Sequence, residues 1–188
     1  MRIGANAIRM GNVLEHNGKL YVVIKPPEHT MPGKGGAFVQ VSMKEITTGT
    51  KVNERFRSNE DVEKARLDQK ENQFLYADDD FIYLMDNESY EQIQVNKVML
   101  EKKIAYLQEG MNVTVEFYEN TPIKIELPTT VNLEVSETEP VVKGQTAASS
   151  YKPAVMENGM RIMVPPFVDP GTRVVVRTED DTYVERCK

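Results

Sequence analysis

The chain has 188 residues, with 23 Lys and Arg against 29 Asp and Glu and a net charge of −6. This length allows one domain or two, or three if the domains are small barrels. No apolar run is long enough to span a bilayer, the N-terminal residues lack the apolar core of a signal peptide, and the single cysteine, Cys187, leaves no internal disulfide. We therefore expect a soluble cytoplasmic protein.

The charge is distributed unevenly along the chain. Residues 1–64 hold 10 Lys and Arg against 7 Asp and Glu, residues 65–128 hold 6 against 13, and residues 129–188 hold 7 against 9. A basic N-terminal third suits contact with RNA phosphates, and the acidic middle suits solvent or a cationic protein. The alternative interpretation is that the charge merely varies along a soluble protein, without such partners.

The first third predicts a small β-barrel. Strand-like runs at residues 12–16 and 19–24 flank Asn17-Gly18, a strong signal for a two-residue hairpin. An alternating run follows at residues 37–43, and a further run at 51–56 comes after another turn. Residues 25–36, between the second and third runs, are predicted to form a protruding loop.

That loop carries a lysine, Lys34, surrounded by Pro32, Gly33, Gly35 and Gly36. Glycines permit backbone conformations that other residues avoid, and proline fixes φ. The turn can therefore present the lysine ammonium at the end of a narrow protrusion. One interpretation is insertion into a narrow cleft or recognition by a modifying enzyme. The other is an ordinary solvated hairpin turn.

A nucleotide-binding P-loop is excluded at this turn. That motif needs G-x-x-x-x-G-K followed by Ser or Thr. Glu28 occupies the position of the first glycine, and Gly35 that of the hydroxyl residue.

The middle third predicts a five-stranded OB barrel, because strands, one short helix and two further strands are what that fold requires. The helix is expected at residues 98–108, where Leu100, Ile104 and Leu107 recur at helical spacing before Gly110. A charged stretch at 57–70 precedes this module. The strand-like runs lie at residues 74–77, 81–85, 112–118 and 123–126.

The last third again consists of short strand-like runs separated by turn signals, which predicts a second small barrel. A polar segment from Lys143 to Ser150 is expected to be a loop. The fold class predicted is thus all-β, with three consecutive small barrels. The expected domains are residues 1–64, 65–128 and 129–188.

The sequence contains few candidate catalytic residues. His16 and His29 stand in turn or loop contexts without a nucleophile, and the three aspartates at 78–80 lack calcium-ligand spacing. No zinc, dinucleotide or nucleophile-elbow motif is found, so we expect no enzyme and no metal site. Tyr183 and Arg186 suit stacking on a base and pairing with phosphate, or else they are ordinary edge residues.

The Pro-Gly-Lys-Gly turn around Lys34, together with the run at 37–41, resembles bacterial elongation factor P. Similar segments follow in register to the end of the chain, and the length also fits the family. These segments are Thr48-Gly49-Thr50, Ser89-Tyr90-Glu91-Gln92, Lys143-Gly144-Gln145-Thr146-Ala147, Lys152-Pro153-Ala154, Val164-Pro165-Pro166-Phe167-Val168 and Tyr183-Val184-Glu185-Arg186.

The resemblance implies an SH3-like (KOW-type) barrel and two OB barrels in an L-shaped, tRNA-like arrangement. It implies a monomeric, non-membrane translation factor that binds the 70S ribosome between the P and E sites and relieves stalling at consecutive prolines. No cofactor is implied, but a modifying enzyme would extend Lys34 covalently, for example by a lysyl-type group. The implied site residues are Lys34 toward the CCA end of P-site peptidyl-tRNA, Pro32, Gly33, Gly35 and Gly36 in its tip loop, and Tyr183 and Arg186 toward the tRNA anticodon stem and small subunit.

Two departures from the family pattern fall in the last third, where Pro166 replaces the usual leucine and Thr182 the usual glycine. Two alternative functions remain open. One is an elongation-factor-P-like paralogue with a different stalling specificity. The other is a general single-strand RNA-binding OB protein, which the acidic second and third modules disfavour.

Overall fold

The computed structural model describes residues 1–140 and 150–188, which form three β-sheets. Each sheet is built from strands that are consecutive along the chain, and the helical segments of the described residues are three short 3₁₀ helices. The prediction of an all-β protein is therefore confirmed. The predicted loop from Lys143 to Ser150 lies, except for Ser150, outside the described residues.

The first sheet has seven strands in the order β1-β7-β2-β3-β5-β4, with β6 paired to β5. Its β2–β3 hairpin turns at Asn17 and Gly18, both with positive φ, as the sequence predicts. The strands are β1 (Arg2–Gly4), β2 (Val13–His16), β3 (Lys19–Val23), β4 (Glu28–Thr30), β5 (Phe38–Glu45), β6 (Lys51–Arg57) and β7 (Asp61–Lys64), and a 3₁₀ helix spans Ala5–Ala7.

The interior of this sheet is filled by the alternate residues of its strands. Val39, Val41 and Met43 of β5 are fully buried, while the residues between them lie on the outer face. The other members of this core are Ala5, Ile8, Leu14, Tyr21, Val23, Phe56 and Val62.

The predicted loop at residues 25–36 contains an additional strand. In β4, Glu28, His29 and Thr30 pair with Gln40, Val39 and Phe38, so the hairpin is longer than expected. All three β4 residues are exposed, and a strand that buries nothing leaves no alternating signal in its sequence. The charged stretch at 57–70 likewise contains β7 and the start of β8.

The second sheet has the order β10-β9-β8-β11-β12. Buried side chains from its strands and from the segment after β10 fill its interior, among them Ile82, Leu84, Val95, Val113 and Val115. Its strands are β8 (Asp68–Ala77), β9 (Phe81–Asp86), β10 (Gln92–Asn96), β11 (Asn112–Tyr118) and β12 (Thr121–Glu126).

The predicted helix at 98–108 is wrong in type. The segment forms two 3₁₀ helices, Lys97–Met99 and Glu101–Tyr106, which are separated by Leu100. The second helix begins at Glu101, which has a φ of 52°. Three residues per turn place Lys103 and Tyr106 on one face, so the large side chain that is fully buried is that of Tyr106 and not that of Leu107. The second helix ends at Tyr106, before the predicted stop, and Gly110 lies beyond it in a turn, with a φ of 80°.

The third sheet repeats the order of the second, as β15-β14-β13-β16-β17, and β15 also approaches β17. Its strands are β13 (Thr130–Thr138), β14 (Lys152–Met156), β15 (Arg161–Val164), β16 (Arg173–Arg177) and β17 (Thr182–Arg186). Its core contains Val131, Leu133, Val135, Ala154, Met156, Ile162, Val164, Val168, Val174, Val176 and also Tyr106.

The chain divides into two compact units. The first comprises Met1–Asp68 and Phe117–Ile123, and the second Gln69–Glu116 and Lys124–Lys188. In the first unit Ile123 is buried with Val13 and Ala65.

Within the second unit the 3₁₀ helix Glu101–Tyr106 is bound to the third sheet. The Tyr106 hydroxyl donates to Asp181 at 2.5 Å, and the Lys103 ammonium donates to the backbone oxygens of Thr178 and Glu179. Burial, followed by this hydrogen bond, raises the pKa of Tyr106. The second and third sheets are therefore joined by a buried aromatic ring and by directed hydrogen bonds.

Candidate functional site

The β4–β5 hairpin presents Lys34 at its turn. The strands pair as far as Thr30 and Phe38, and every residue from Met31 to Gly36 is exposed, with Met31 86% exposed. The backbone N–H of Gly35 donates to the Pro32 oxygen at 3.1 Å and closes the turn around the lysine. The tip thus has a backbone closed by a hydrogen bond, and all of its residues are exposed.

Two of the tip glycines occupy backbone conformations that disfavour side chains. Gly33 has a φ of 32° and Gly36 a φ of 82°. A Cβ atom at either position would meet nothing within 4 Å, so the requirement for glycine comes from the backbone and not from crowding. A tip without side chains on these residues is narrow as well as sharply turned.

Within the described part of the chain, the Lys34 ammonium has neither a hydrogen bond nor an ion pair. An ammonium group has three donors and a full charge, and it sits on a flexible four-carbon stem. The arrangement therefore leaves a cation available to an acceptor outside the chain.

Tyr183 and Arg186 lie on the same face of β17. In a regular strand, residues three apart point to opposite faces. Here the register shifts, so that Tyr183 pairs with Val176 and Arg186 with Val174, two residues that both face the core. The bulge brings the phenol and the guanidinium to one side of the strand, with the phenol half-buried and the guanidinium exposed.

Two further aromatic rings lie beside Tyr183 and Arg186, and the four side chains form one cluster. The Arg186 guanidinium carbon lies 5.4 Å from the centroid of the Phe167 ring, and the Tyr151 ring meets the Tyr183 ring edge-on at 6.3 Å. Burial raises the pKa of Tyr183. Neither Phe167 nor Tyr151 is among the residues predicted from the sequence. The signal for Phe167 is a large apolar residue placed directly after two prolines, where a turn exposes it.

The two departures from the family pattern have local structural roles in this cluster. Pro166 is the second residue of a turn closed by the Val168 N–H on the Pro165 oxygen, a position that proline favours, and this turn exposes Phe167. The Thr182 hydroxyl donates to Asp180 at 2.6 Å, and it contributes most to lowering the pKa of that carboxyl.

Residues 1–140 and 150–188 contain no group of three His, Cys, Asp or Glu side chains placed to hold a metal ion together. Asp78 accepts the backbone N–H groups of Asp80 and Phe81, and the latter bond is the main cause of its lowered pKa. His16 lies in β2 and packs edge-on against Phe56, and His29 lies in β4. The contacts of Asp78 and His16 thus lie within their own sheets.

No helix in the described ranges is both long and apolar enough to traverse a bilayer.

Comparison with known proteins gives matches along almost the whole chain. Three family models match in sequence order: the elongation factor P KOW-like domain over residues 4–62, the elongation factor P OB domain over 67–125, and the elongation factor P C-terminal domain over 131–186. The predicted KOW-type and OB folds are confirmed.

Complete relatives are similar over their full length. Elongation factor P of Rickettsia bellii strain OSU 85-389 is 57% identical over 188 residues, which is 100% of both chains, and that of Rickettsia rickettsii strain Sheila Smith is 56% identical over the same span. Among solved structures, eukaryotic translation initiation factor 5A from Methanococcus jannaschii matches with a TM-score of 0.57 and 21% identity. That match covers 68% of this chain and 92% of the other, and it shows a common fold.

Proposed function

Since this chain belongs to the elongation factor P family of translation factors, we propose that it binds the 70S ribosome between the P and E sites. There it stimulates peptide-bond formation at consecutive-proline stalls by positioning P-site peptidyl-tRNA. Its relatives are named as translation factors and not as enzymes, and a positioning role needs no catalytic group.

The observation that carries this proposal is the exposed Lys34 at the end of a narrow turn. The turn from Pro32 to Gly36 has no side chain larger than a proline ring beside the lysine. Such a tip fits a cleft already occupied by RNA, and the ammonium is a donor for the phosphates and hydroxyls of the tRNA CCA end.

The mechanism is one of orientation. The proline ring fixes φ and removes the amide proton, which makes proline a poorly placed partner in peptide-bond formation. A factor that holds the CCA end restricts the peptidyl-tRNA to arrangements in which the reacting atoms are close and aligned. The lysine contributes contacts to the tRNA and takes no part in proton transfer.

Covalent extension of Lys34 by a lysine-modifying enzyme is part of this proposal. The full exposure of the tip residues leaves the ammonium accessible to another protein. A lysyl-type extension would lengthen the reach of the side chain and add an amine that can donate to phosphate oxygens. No dissociable cofactor is required.

A second contact is proposed at Tyr183 and Arg186, toward the tRNA anticodon stem and the small subunit. Their common face on β17 supports this role. The exposed guanidinium suits bidentate contact with a phosphate, and the phenol hydroxyl suits a contact with the sugar-phosphate backbone.

The test is translation of a reporter that contains consecutive prolines. Lys34→Ala is expected to abolish the stimulation, whereas Lys102→Ala, a matched change at another exposed lysine, is expected to leave it intact. Wild-type stimulation by the Lys34 variant would contradict the proposal.

The wild-type protein and the Lys34→Ala and Lys102→Ala variants also distinguish the two alternative functions. Stimulation confined to a stalling sequence without consecutive prolines would indicate the paralogue. A general RNA-binding protein would keep its affinity for single-stranded RNA after Lys34→Ala. Neither it nor its variants would stimulate translation of the reporter.

A further inference from the structure

The tip of the β4–β5 hairpin also carries a methionine, Met31. Of the ten methionines in the chain, four are exposed, and Met31 is the most exposed of them at 86%. The other three are Met1, Met10 and Met163. Burial of a methionine side chain stabilises a folded protein, and an exposed one contributes little in this way. The packing of the first sheet therefore does not account for Met31.

Met31 lies directly beside the turn that presents Lys34. The last pair of the hairpin joins Thr30 to Phe38, so Met31 is the first residue beyond the paired end of β4. Pro32 follows it, and a residue before proline is restricted to extended conformations. The backbone at Met31 is thus restrained, while its thioether side chain is exposed to solvent.

The side chains of Met31 and Lys34 are within reach of each other. The two residues are three apart, which limits the separation of their Cα atoms to about 11 Å even in an extended chain. The turn closed by the Gly35 N–H on the Pro32 oxygen makes this separation shorter. Both side chains are long and flexible. Since the Lys34 ammonium has no hydrogen bond or ion pair within the described part of the chain, an acceptor formed on Met31 would meet an unoccupied donor.

We propose that Met31 is a site of reversible oxidation by peroxides, and that its sulfoxide lowers the activity of the Lys34 tip. The sulfur attacks one oxygen of hydrogen peroxide, the O–O bond breaks, and water leaves after proton transfer. The sulfur loses two electrons and the peroxide gains them, so the reaction needs no further reagent. The effect on activity rests on the proposed function, whereas the oxidation itself does not.

The sulfoxide changes the chemistry of the tip. A thioether is apolar and only a weak acceptor, whereas a sulfoxide is polar and accepts hydrogen bonds through its oxygen. That oxygen can accept from the Lys34 ammonium, which then has fewer donors to offer to the phosphates and hydroxyls of RNA. RNA must displace this contact in order to bind, so the oxidised tip binds more weakly than the reduced one.

Burial protects the methionines of the cores. Met43 is fully buried in the core of the first sheet, and Met156 in that of the third. A sulfoxide at either position would bring an unpaired polar group into a core. Mild oxidation therefore modifies the tip before it damages the fold. The exposure of Met31 also leaves its sulfoxide accessible to the reductases that restore methionine, one for each sulfoxide epimer.

The first measurement is the rate of sulfoxide formation at each methionine, followed by peptide mass spectrometry after timed exposure of the protein to dilute hydrogen peroxide. Met31 is expected to oxidise faster than Met10 and Met163, and Met43 and Met156 are expected to oxidise slowest. A rate at Met31 no higher than that at Met163 would overturn the assignment of the site.

The second measurement is the polyproline reporter, in which each protein is compared with its own untreated activity after catalase has removed the peroxide. Oxidation should lower the stimulation by the wild-type protein several-fold, and the two sulfoxide reductases should restore it. Met31→Leu cannot form a sulfoxide and should keep its own activity after the same exposure. Met163→Leu is the matched control and should lose activity as the wild-type protein does. Met31→Gln, which places a polar acceptor at the tip, should be less active than Met31→Leu without any peroxide.

Equal losses in oxidised Met31→Leu and oxidised wild-type protein would assign the effect to another residue and overturn the proposal. So would full activity of a wild-type protein whose Met31 is oxidised, or a fall in its melting temperature that accounts for the loss. The reporter with Lys34→Ala tests the proposed function separately. Wild-type stimulation by that variant would overturn the tip model and the effect on activity, while the oxidation rates would still decide whether Met31 is the modified residue.

Discussion

The guanidinium of Arg186 lies over the exposed ring of Phe167, with 5.4 Å between the guanidinium carbon and the ring centroid. Phe167 is 60% exposed, so it contributes little to the core of the third sheet. A cation held over an aromatic face has fewer orientations than a free one. We interpret Phe167 as a residue that positions Arg186 for the contact proposed for it.

Phe167→Leu is therefore expected to weaken binding of an RNA anticodon stem-loop by about two- to fivefold, which corresponds to the ~0.5–1 kcal/mol of an exposed cation–π contact. The melting temperature should not change. The measurement is the affinity of Phe167→Leu, of Arg186→Ala and of the double variant. A positioning role requires that the two effects are not additive, and additive effects would exclude it.

Gly36→Ala should reduce reporter activity although Lys34 is unchanged. The φ of 82° at Gly36 is unfavourable for alanine by about 1–2 kcal/mol, which favours a different tip conformation. Gly35→Ala is the matched control. Its φ is not positive, and an added Cβ would lie 3.7 Å from the Pro32 oxygen, an ordinary contact. Equal activity of the two variants in the polyproline reporter would show that the tip conformation is unimportant.

Asp86→Asn should lower the melting temperature at neutral pH but not in acid. The backbone N–H of Ser89, followed by that of Glu88, lowers the pKa of Asp86 below the ordinary value of 3.8. A lowered pKa stabilises the folded state above the unfolded-state value, and this stabilisation is lost as pH falls through the folded-state value. The difference between the wild-type and variant melting temperatures should hold above about pH 4 and shrink below it. A difference that is constant with pH would assign the effect to packing.

Tyr106 should contribute to stability mainly through its ring. Tyr106→Phe removes the hydrogen bond to Asp181 and is expected to reduce the free energy of unfolding by about 1 kcal/mol. Tyr106→Ala also leaves a cavity in the core of the third sheet and should cost about 3–5 kcal/mol. Denaturant titration measures both. Comparable destabilisation in the two variants would mean that the hydrogen bond dominates.

Local signals made much of this fold predictable. The Asn17-Gly18 hairpin depends on two residues that accept positive φ, and the glycines around Lys34 indicate a turn in the same way. The alternation in β5 similarly predicts which side chains are buried. Each of these features is determined by residues adjacent in the chain.

Other features depend on partners distant in sequence and could not be predicted. The aligned faces of Tyr183 and Arg186 need a bulge against β16, and the spacing of the two residues does not reveal it. The burial of Tyr106 is decided by the third sheet, which begins more than twenty residues later. In both cases tertiary packing overrides the local pattern.

Along β6 the cations Lys51, Arg55 and Arg57 are exposed, while Val52 and Phe56 pack on the core of the first sheet. This alternation also determines how β5 and β6 can assemble. A strand that slipped by one residue against its neighbours would turn Lys51, Arg55 and Arg57 toward the apolar interior and Val52 and Phe56 toward water. Burying unpaired cations is far more costly than packing a few apolar side chains imperfectly. The same arginines and lysine therefore exclude misaligned strand pairings during folding.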